Sequence, residues 1–502
     1  MENSYKWHSV DIRLLAAGTS LLLSGIMAIL GWLPNEDAFA YIRTVEVFNN
    51  EGLIAAFRHY PWAAYSVLIA IVHNLLNIEP FTAAILVNAL FYSLLVYSFI
   101  SLVAEIDNSQ QTLLLAAISV LVYPQLNEYR LIIIRDSAFW ALSLFGLWQF
   151  VRYMENKKLV NSTLFSAAFL FGMAFRIEAL LFLVTIPLSL FIDERQSFRE
   201  RAKLFAYFTA SSAGILVLLA IAMYLAGLGV SQLVGEQLAG YLPFISDTFF
   251  PTELRTAEMG RAIFGDYAAN FTGDYLTLFM IAGLIAVMIA FLFRGIGGPF
   301  LIVMIAGTLH KVWQIPRRQS APLLTTVLIN GAIALGFLLT TRFLSTRYVM
   351  LLCIVLTLFV PLLLSRLLKT ALEKGRQKMA GRLIGMLLFY CAVDAYVSFG
   401  ADRDYLREAG DWVAQNTPES TVLLSNNRVF AYYSRRMENY DQLQMVMNEE
   451  SILQLATGTL IGFEEDTSTV GLFERETVGT AVEEVIRFGE ESERQLIVYR
   501  RL

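Results

Sequence analysis

Four short clusters of carboxylates and arginines interrupt the apolar blocks of this chain, and each is of a type that can do chemistry. The first is Glu36-Asp37, followed by Phe39, Tyr41 and Arg43. Two adjacent carboxylates can divide the work of a general base and of a group that orients the reactant or holds a metal ion. They can equally open a helix, where Asn35 or Asp37 would satisfy free N–H groups and suit the dipole. The second cluster, Glu128, Tyr129, Arg130, Arg135 and Asp136, puts two arginines and an aspartate in an apolar stretch. Such charges are costly there unless they line a wet cavity or pair, Arg130 with Glu128 or Arg135 with Asp136. The third is Arg176 with Glu178 in a sharp turn, which either dips toward the membrane or forms a self-satisfied ion pair. The fourth, RFLSTRY, carries Arg342, Arg347 and Tyr348 with no acid between them. Arginines so placed suit a phosphate, gripped by two parallel hydrogen bonds, or else lipid headgroups.

The elements that must position these clusters are membrane helices. Of 502 residues 56% are hydrophobic and 16% charged, and the mean hydropathy is +0.56. That excludes an ordinary soluble domain, a disordered chain and a disulfide scaffold. Apolar blocks of spanning length fall at roughly 12–33, 81–104, 111–127, 137–154, 160–175, 179–192, 204–227, 275–293, 322–341, 347–366 and 383–400, about eleven in all. The spans at 160–175 and 179–192 are short enough to predict a tilt or kink. The first block, ending in Pro34, lacks a cleavable signal pattern and reads as an uncleaved helix.

With the N-terminus inside, every lysine (Lys6, Lys157, Lys158, Lys203, Lys311, Lys369, Lys374 and Lys378) falls on the cytoplasmic side, most densely in SRLLKTALEKGRQKMAGR at 365–382. The apolar core of 298–313 is shorter than a span and is placed at the cytoplasmic interface. Two external loops result, 34–80 and 228–274, and within the first the stretch 62–77 reads as a helix along the membrane surface. Residues 1–400 form the membrane body, with 28 basic and 24 acidic side chains. Residues 401–502, with 10 basic and 19 acidic, form a small external α/β domain. Its expected elements are helices near 402–416, 426–436 and 476–488 and strands at 421–425 and 495–500. Cys353 and Cys391 lie in apolar blocks, and the four histidines are scattered, so no Cys/His metal spacing exists. No clustered basic face points to nucleic acid. Charges gathered on one face at the lipid interface suit an enzyme taking a lipid-linked phosphate better than a transporter, whose charges sit near the midplane.

Read in order, these segments resemble the GT-C superfamily of polytopic glycosyltransferases, over nearly the whole chain. EDAFAYIR (36–43) is similar to the acidic motif that opens the family's first external loop, with Glu-Asp in place of Asp-Asp or Asp-Glu. HYPW (59–62), with His59, resembles the His-Pro-Pro segment of that loop, one proline being replaced by Tyr60. RFLSTRYVMLL (342–352) is similar to the start of a late span, and DWVAQNTPESTVLLSNNRVFAYYSRR to a small external domain.

The resemblance implies a mainly α, polytopic GT-C fold in a bacterial inner membrane, N-terminus cytoplasmic, with the C-terminal α/β domain outside. It implies transfer of a sugar, with inversion, from a polyprenyl-phosphate-linked donor to a glycan, lipid or protein acceptor. Asp37 would be the base, and Glu36 would orient the acceptor or hold a divalent cation, magnesium or manganese. Arg347 and Arg342 would grip the phosphate, helped by Arg135 or Arg130, with Asp136 a second acid in the cavity. Tyr348, His59 and Arg176 complete the expected donor-binding set. Two alternatives stand beside this reading: a lipid-linked polysaccharide polymerase or ligase, and a non-enzymatic transporter or flippase.

Overall fold

The computed structural model describes residues 11–30, 33–192, 196–225, 227, 253–269, 273–310, 317–397, 403–443, 447–464, 471–489 and 494–502. They are mainly helical, with one four-stranded sheet confined to the C-terminal unit. Six helices are long and apolar enough to cross a bilayer: Ile12–Leu30, Pro80–Ile106, Leu278–Ile296, Gln319–Thr341, Thr346–Glu373 and Gln377–Tyr396. Shorter apolar helices accompany them. The chain is a polytopic helical membrane protein.

Helix α1 (Ile12–Leu30) buries only Ala16, Ser20 and Ser24, small residues that let it approach its neighbours closely while Leu22, Ile26 and Ile29 face outward. Beyond it α2 (Glu36–Glu51), α3 (Leu53–His59) and α4 (Ala64–Leu76) make up most of the first loop. α4 buries Tyr65, Ser66, Ile69 and Ala70 against the rest of the chain and exposes Ile71 and Leu75. α5 (Pro80–Ile106) starts on Pro80, with the Glu79 carboxylate accepting from Thr82 N at 2.9 Å. It packs on α1, where Ser93 donates to Ala17 O at 2.5 Å.

Between α6 (Gln110–Leu121) and α8 (Asp136–Asn156) the backbone is irregular except for the one-turn α7 (Pro124–Asn127). Irregular backbone at membrane depth must find protein partners. Tyr92, about three turns into α5, donates to Leu126 O at 2.8 Å, and Asn88 donates to Ile132 O at 2.8 Å. Arg130 is 1% exposed; its Nη1 donates to Ser20 O, Ser20 Oγ and Ser24 Oγ at 2.9–3.0 Å, and its Nε to Asn127 Oδ1 at 2.8 Å. The two serines of α1 are thus the polar seats of a buried guanidinium.

α9 (Leu159–Met173) and α10 (Ala179–Thr185) flank the turn that carries Arg176. The expected kink is present: α10 tightens into a 3₁₀ segment, Ile186–Ile192, at Pro187, which has no N–H to continue an α-helix. α11 (Phe198–Leu225) follows, then α12 (Glu253–Ala269), α13 (Gly273–Ile296), the short α14 (Gly298–Leu309), α15 (Arg317–Thr341) and the broken pair α16 (Thr346–Thr357) and α17 (Phe359–Glu373).

Here two expectations are corrected. α13 runs against α16: Cys353 Sγ lies 3.8 Å from Leu292 O, and a Cβ on Gly295 would lie 3.6 Å from Thr346 Cγ2. It therefore ends in the layer of Thr346 instead of starting there. α14 then leads from that layer to the other. The turn at Gly297 (φ +82°) presses on Gln125, where a Cβ would collide, and Phe300 meets Tyr123 with ring centroids 5.1 Å apart. At the far end, Gly307 packs on Leu363, and His310 shares a groove with Lys374. The described part of 298–313 does not lie along one interface. Its apolar core can be short because the stretch 122–135 sinks to meet it.

The second correction concerns 228–274. Gly227 lies beside Ile54 of α3, whereas α13 begins in the opposite layer, so the two ends of this stretch are not on one face. Residues 228–252 and 270–272 lie outside the described residues.

α18 (Gln377–Tyr396) leads to the C-terminal unit, where α19 (Asp404–Asn416), α20 (Arg428–Ser434), α21 (Glu449–Leu453) and α22 (Glu476–Gly479) surround the sheet. The strands β1 (Leu423–Ser425), β2 (Leu460–Glu464), β3 (Val482–Phe488) and β4 (Leu496–Arg501) lie in the order β1-β2-β4-β3. β1 and β2 are parallel, in register Leu423 with Leu460; the other pairs are antiparallel. β1 and β4 fall where strands were expected. The expected helix over 476–488 stops at Gly479 and gives way to β3, and β2 has no counterpart in the expectation. Val482, Val485 and Ile486 have helical spacing, but pairing with β4 overrides it.

Candidate active site

The acidic pair is placed from below. Asn35 occupies the N-cap position of α2, yet its side chain makes no capping bond. Its amide instead clasps the irregular stretch, accepting from Ile133 N at 2.8 Å and donating to Ile133 O at 3.2 Å. Glu36 and Asp37, the first residues of α2, are thereby held over the sunken backbone.

Asp37 meets Arg347, the second residue of α16: Nη1 donates to Oδ2 at 2.5 Å across 310 residues of chain. Arg347 also donates from Nη2 to the Tyr348 hydroxyl at 3.3 Å. Glu36 accepts from Arg428 of α20 at 3.1 Å. The two carboxylates, Arg347 and Arg403 line one cavity of about 420 Å³, closed on one side by Leu406 and Val429 of the C-terminal unit.

That unit is fastened along α2. Phe39 lies 5.6 Å from Tyr432 and 6.2 Å from Tyr440, ring to ring, and Tyr440 donates to Glu46 Oε1 at 2.8 Å. Burial, and then the carboxylate that takes its proton's hydrogen bond, push the Tyr440 phenol well above its ordinary value, so it stays a donor. His59 is part of this seam: Nε2 lies 3.4 Å from Asp441 Oδ2. It does not line the cavity.

Beneath Arg347 a second cluster is closed. Arg176 pairs with Asp136 and, at 2.6 Å, with Glu178. Its guanidinium lies 4.9 Å over the Tyr348 ring, and that of Arg347 lies 5.2 Å from the same ring. Burial pushes the Glu178 carboxyl up, but Arg176 outweighs it and holds the group below its ordinary value.

Of the expected residues, the fold brings Glu36, Asp37, Arg347 and Tyr348 together. Asp136 is corrected: 4% exposed and bound by Arg176, it positions a guanidinium and does not open into the cavity. Arg130 is corrected likewise, because its Nη1 serves Ser20 and Ser24 of α1 and its Nε serves Asn127. The pairs Arg130 with Glu128 and Arg135 with Asp136 do not form. Arg135 stacks 4.0 Å over Trp62 and keeps a buried Nη1 with no hydrogen-bond partner. Arg342 ends α15 in the left-handed region (φ +55°), exposed and outside the cavity lining.

Three residues were missed. Arg403 and Arg428 come from the C-terminal unit, and no local pattern marks them. Asn330 of α15, 4% exposed with a buried Nδ2 that lacks a partner, lines a small void with Arg176, Arg347 and Tyr348. A lone amide in an apolar span was the signal that could have found it.

A divalent cation fits poorly here. Among the described residues no three His, Cys, Asp or Glu side chains converge, and each carboxylate of the cavity already faces an arginine.

No family model matches the sequence, and no curated protein matches it. Among solved structures the chain is similar to the oligosaccharyltransferase of Archaeoglobus fulgidus in a complex with zinc and sulfate, at 15% identity and a TM-score of 0.49, over 81% of this chain and 56% of that one. It is similar to the same organism's AglB with an inhibitory peptide and a dolichol-phosphate, at 15% and 0.47, over 87% and 60%. It is also similar to ArnT from Cupriavidus metallidurans bound to undecaprenyl phosphate, at 12% and 0.42, over 97% of both chains. The chain thus spans less than two thirds of the archaeal enzymes' length and nearly all of ArnT's.

Proposed function

We propose that the chain is a GT-C-type glycosyltransferase of a bacterial inner membrane, moving a sugar from a polyprenyl-phosphate-linked donor to an acceptor on the α2 face. The reading rests above all on the Asp37–Arg347 contact, which brings a carboxylate and a guanidinium, a group able to grip a phosphate, into one cavity. With the described lysines, Lys157, Lys158, Lys203, Lys369, Lys374 and Lys378, on the opposite side, the α2 face and the C-terminal unit are extracytoplasmic in this reading.

The donor phosphate takes the fork of Arg347 with two parallel hydrogen bonds. That exchange frees Asp37 Oδ2, which Arg347 otherwise occupies. Asp37 then accepts the proton of the acceptor hydroxyl as its oxygen attacks the anomeric carbon. The bond from that carbon to the phosphate oxygen breaks, its electrons staying on the polyprenyl phosphate. Arg347 stabilises the growing charge, and the Tyr348 hydroxyl, which accepts from Nη2, helps to hold the guanidinium in place. Glu36, tied to Arg428, orients the acceptor. No step runs through a metal ion.

Replacing Arg347 with Lys keeps the charge and removes the fork. Binding of a radiolabelled polyprenyl-phosphate sugar to purified protein should weaken markedly in Arg347→Lys and further in Arg347→Ala. Wild-type donor affinity in Arg347→Ala would remove the residue from the site.

A further inference from the structure

The face opposite the cavity carries a groove that the transfer reaction does not use. It has a volume of about 370 Å³ and lies between α14, α17 and α18. Its floor is apolar, with Val303 and Ala306 from α14, Leu364 and Leu367 from α17, and Ile384 and Leu387 from α18. Its rim is basic: His310 ends α14, Lys374 ends α17, and Arg376 sits in the turn before α18. A second hollow, lined by Arg376, Lys378 and Arg382, adjoins it. Among the described residues none of these five side chains makes a hydrogen bond or ion pair, although Glu373 is close in sequence. At its mouth the exposed Leu383 and, beyond the groove, the exposed Phe389 of α18 present an apolar edge, so the groove opens sideways toward the bilayer.

An apolar trough ending in basic side chains that have no partner among the described residues matches one kind of molecule, with an acyl chain at one end and a phosphodiester at the other. A zwitterionic lipid carries its own ammonium and gains little from such a rim. We infer that this groove binds an acidic glycerophospholipid of the leaflet opposite the transfer site, its phosphate on Lys374 and Arg376 and an acyl chain along Leu364, Leu367 and Ile384. The site is separate from the donor cavity and does not depend on the transferase reading.

The test uses the full-length protein in a neutral detergent. Dioleoylphosphatidylglycerol, dioleoylphosphatidylcholine and glycerol 3-phosphate are added in separate titrations, and thermal unfolding is followed. Phosphatidylglycerol alone should give a saturable rise in Tm of roughly 3 °C or more, as expected for a ligand that binds only the folded state. Lys374→Gln with Arg376→Gln should abolish the rise while unfolding without lipid at the wild-type temperature. Ala380→Trp, which keeps every charge and fills the trough, should abolish it too, so a misfolded charge variant does not leave the question open. Equal shifts with phosphatidylcholine would mean a general bilayer contact and overturn the proposal. So would a shift with glycerol 3-phosphate of the same size, or a phosphatidylglycerol shift that survives both variants.

Discussion

Two arginines flank the ring of Tyr348, and their surroundings differ in a way that separates scaffold from site. The Arg176 side chain is 11% exposed and is held by two carboxylates, of which the Asp136 side chain is 5% exposed. Arg347 is 29% exposed, and its partner Asp37 is 45% exposed. The first set is desolvated and fully committed, so exchanging a partner would leave a buried charge alone. The second stands at a cavity wall where water or a phosphate can replace either partner at little cost. In the proposed reading the same residue types serve positioning in one place and exchange in the other, and burial separates the two.

The comparison is broken most severely from the buried side. Arg176→Ala removes the hydrogen-bonded partner of two buried carboxylates, Asp136 and Glu178, and should cost about 3–5 kcal/mol of stability, read as a large drop in thermal unfolding temperature. A near wild-type melting curve would mean that the cluster is hydrated after all. Acid offers a gentler probe. Glu178 titrates below its ordinary value in the folded state, so its contribution is present above the unfolded pKa of about 4.3 and is lost as pH falls through the lower folded value. Stability should therefore decline below about pH 4, and Glu178→Gln should flatten that part of the profile. A variant that keeps the full acid-side slope would assign the loss to other carboxylates. The smallest effect belongs to the exposed seam: Arg428→Gln should change stability by less than about 1 kcal/mol, because Glu36 is 49% exposed. It should instead raise KM for the acceptor, and an unchanged KM would leave Glu36 without an orienting role.

Much of this arrangement was legible in residue types. Glu36-Asp37 and the RFLSTRY segment stood out because charges at membrane ends are few, and the fold joins them. The depth of 122–135 was not legible, because Arg130 and Asp136 look alike in sequence, whereas their fates depend on Ser20, Ser24 and Arg176 far away in the chain. The same sunken backbone hid the course of α14, whose short apolar run passes for an interfacial helix. Arg403 and Arg428 were invisible for another reason: their place beside the acidic pair comes from docking of the C-terminal unit on α2, through Phe39, Tyr432 and Tyr440.

The central claim is that Asp37 is an exchangeable base and not a fixed structural partner, and Asp37→Asn tests it most directly. The variant keeps size and hydrogen bonding, so the protein should express and melt like the wild type. Sugar transfer from a radiolabelled polyprenyl-phosphate donor should fall by at least about 10²-fold, the lower range of general-base assistance, while donor binding survives. Transfer at the wild-type rate would make the Asp37–Arg347 contact a piece of scaffold and contradict the account.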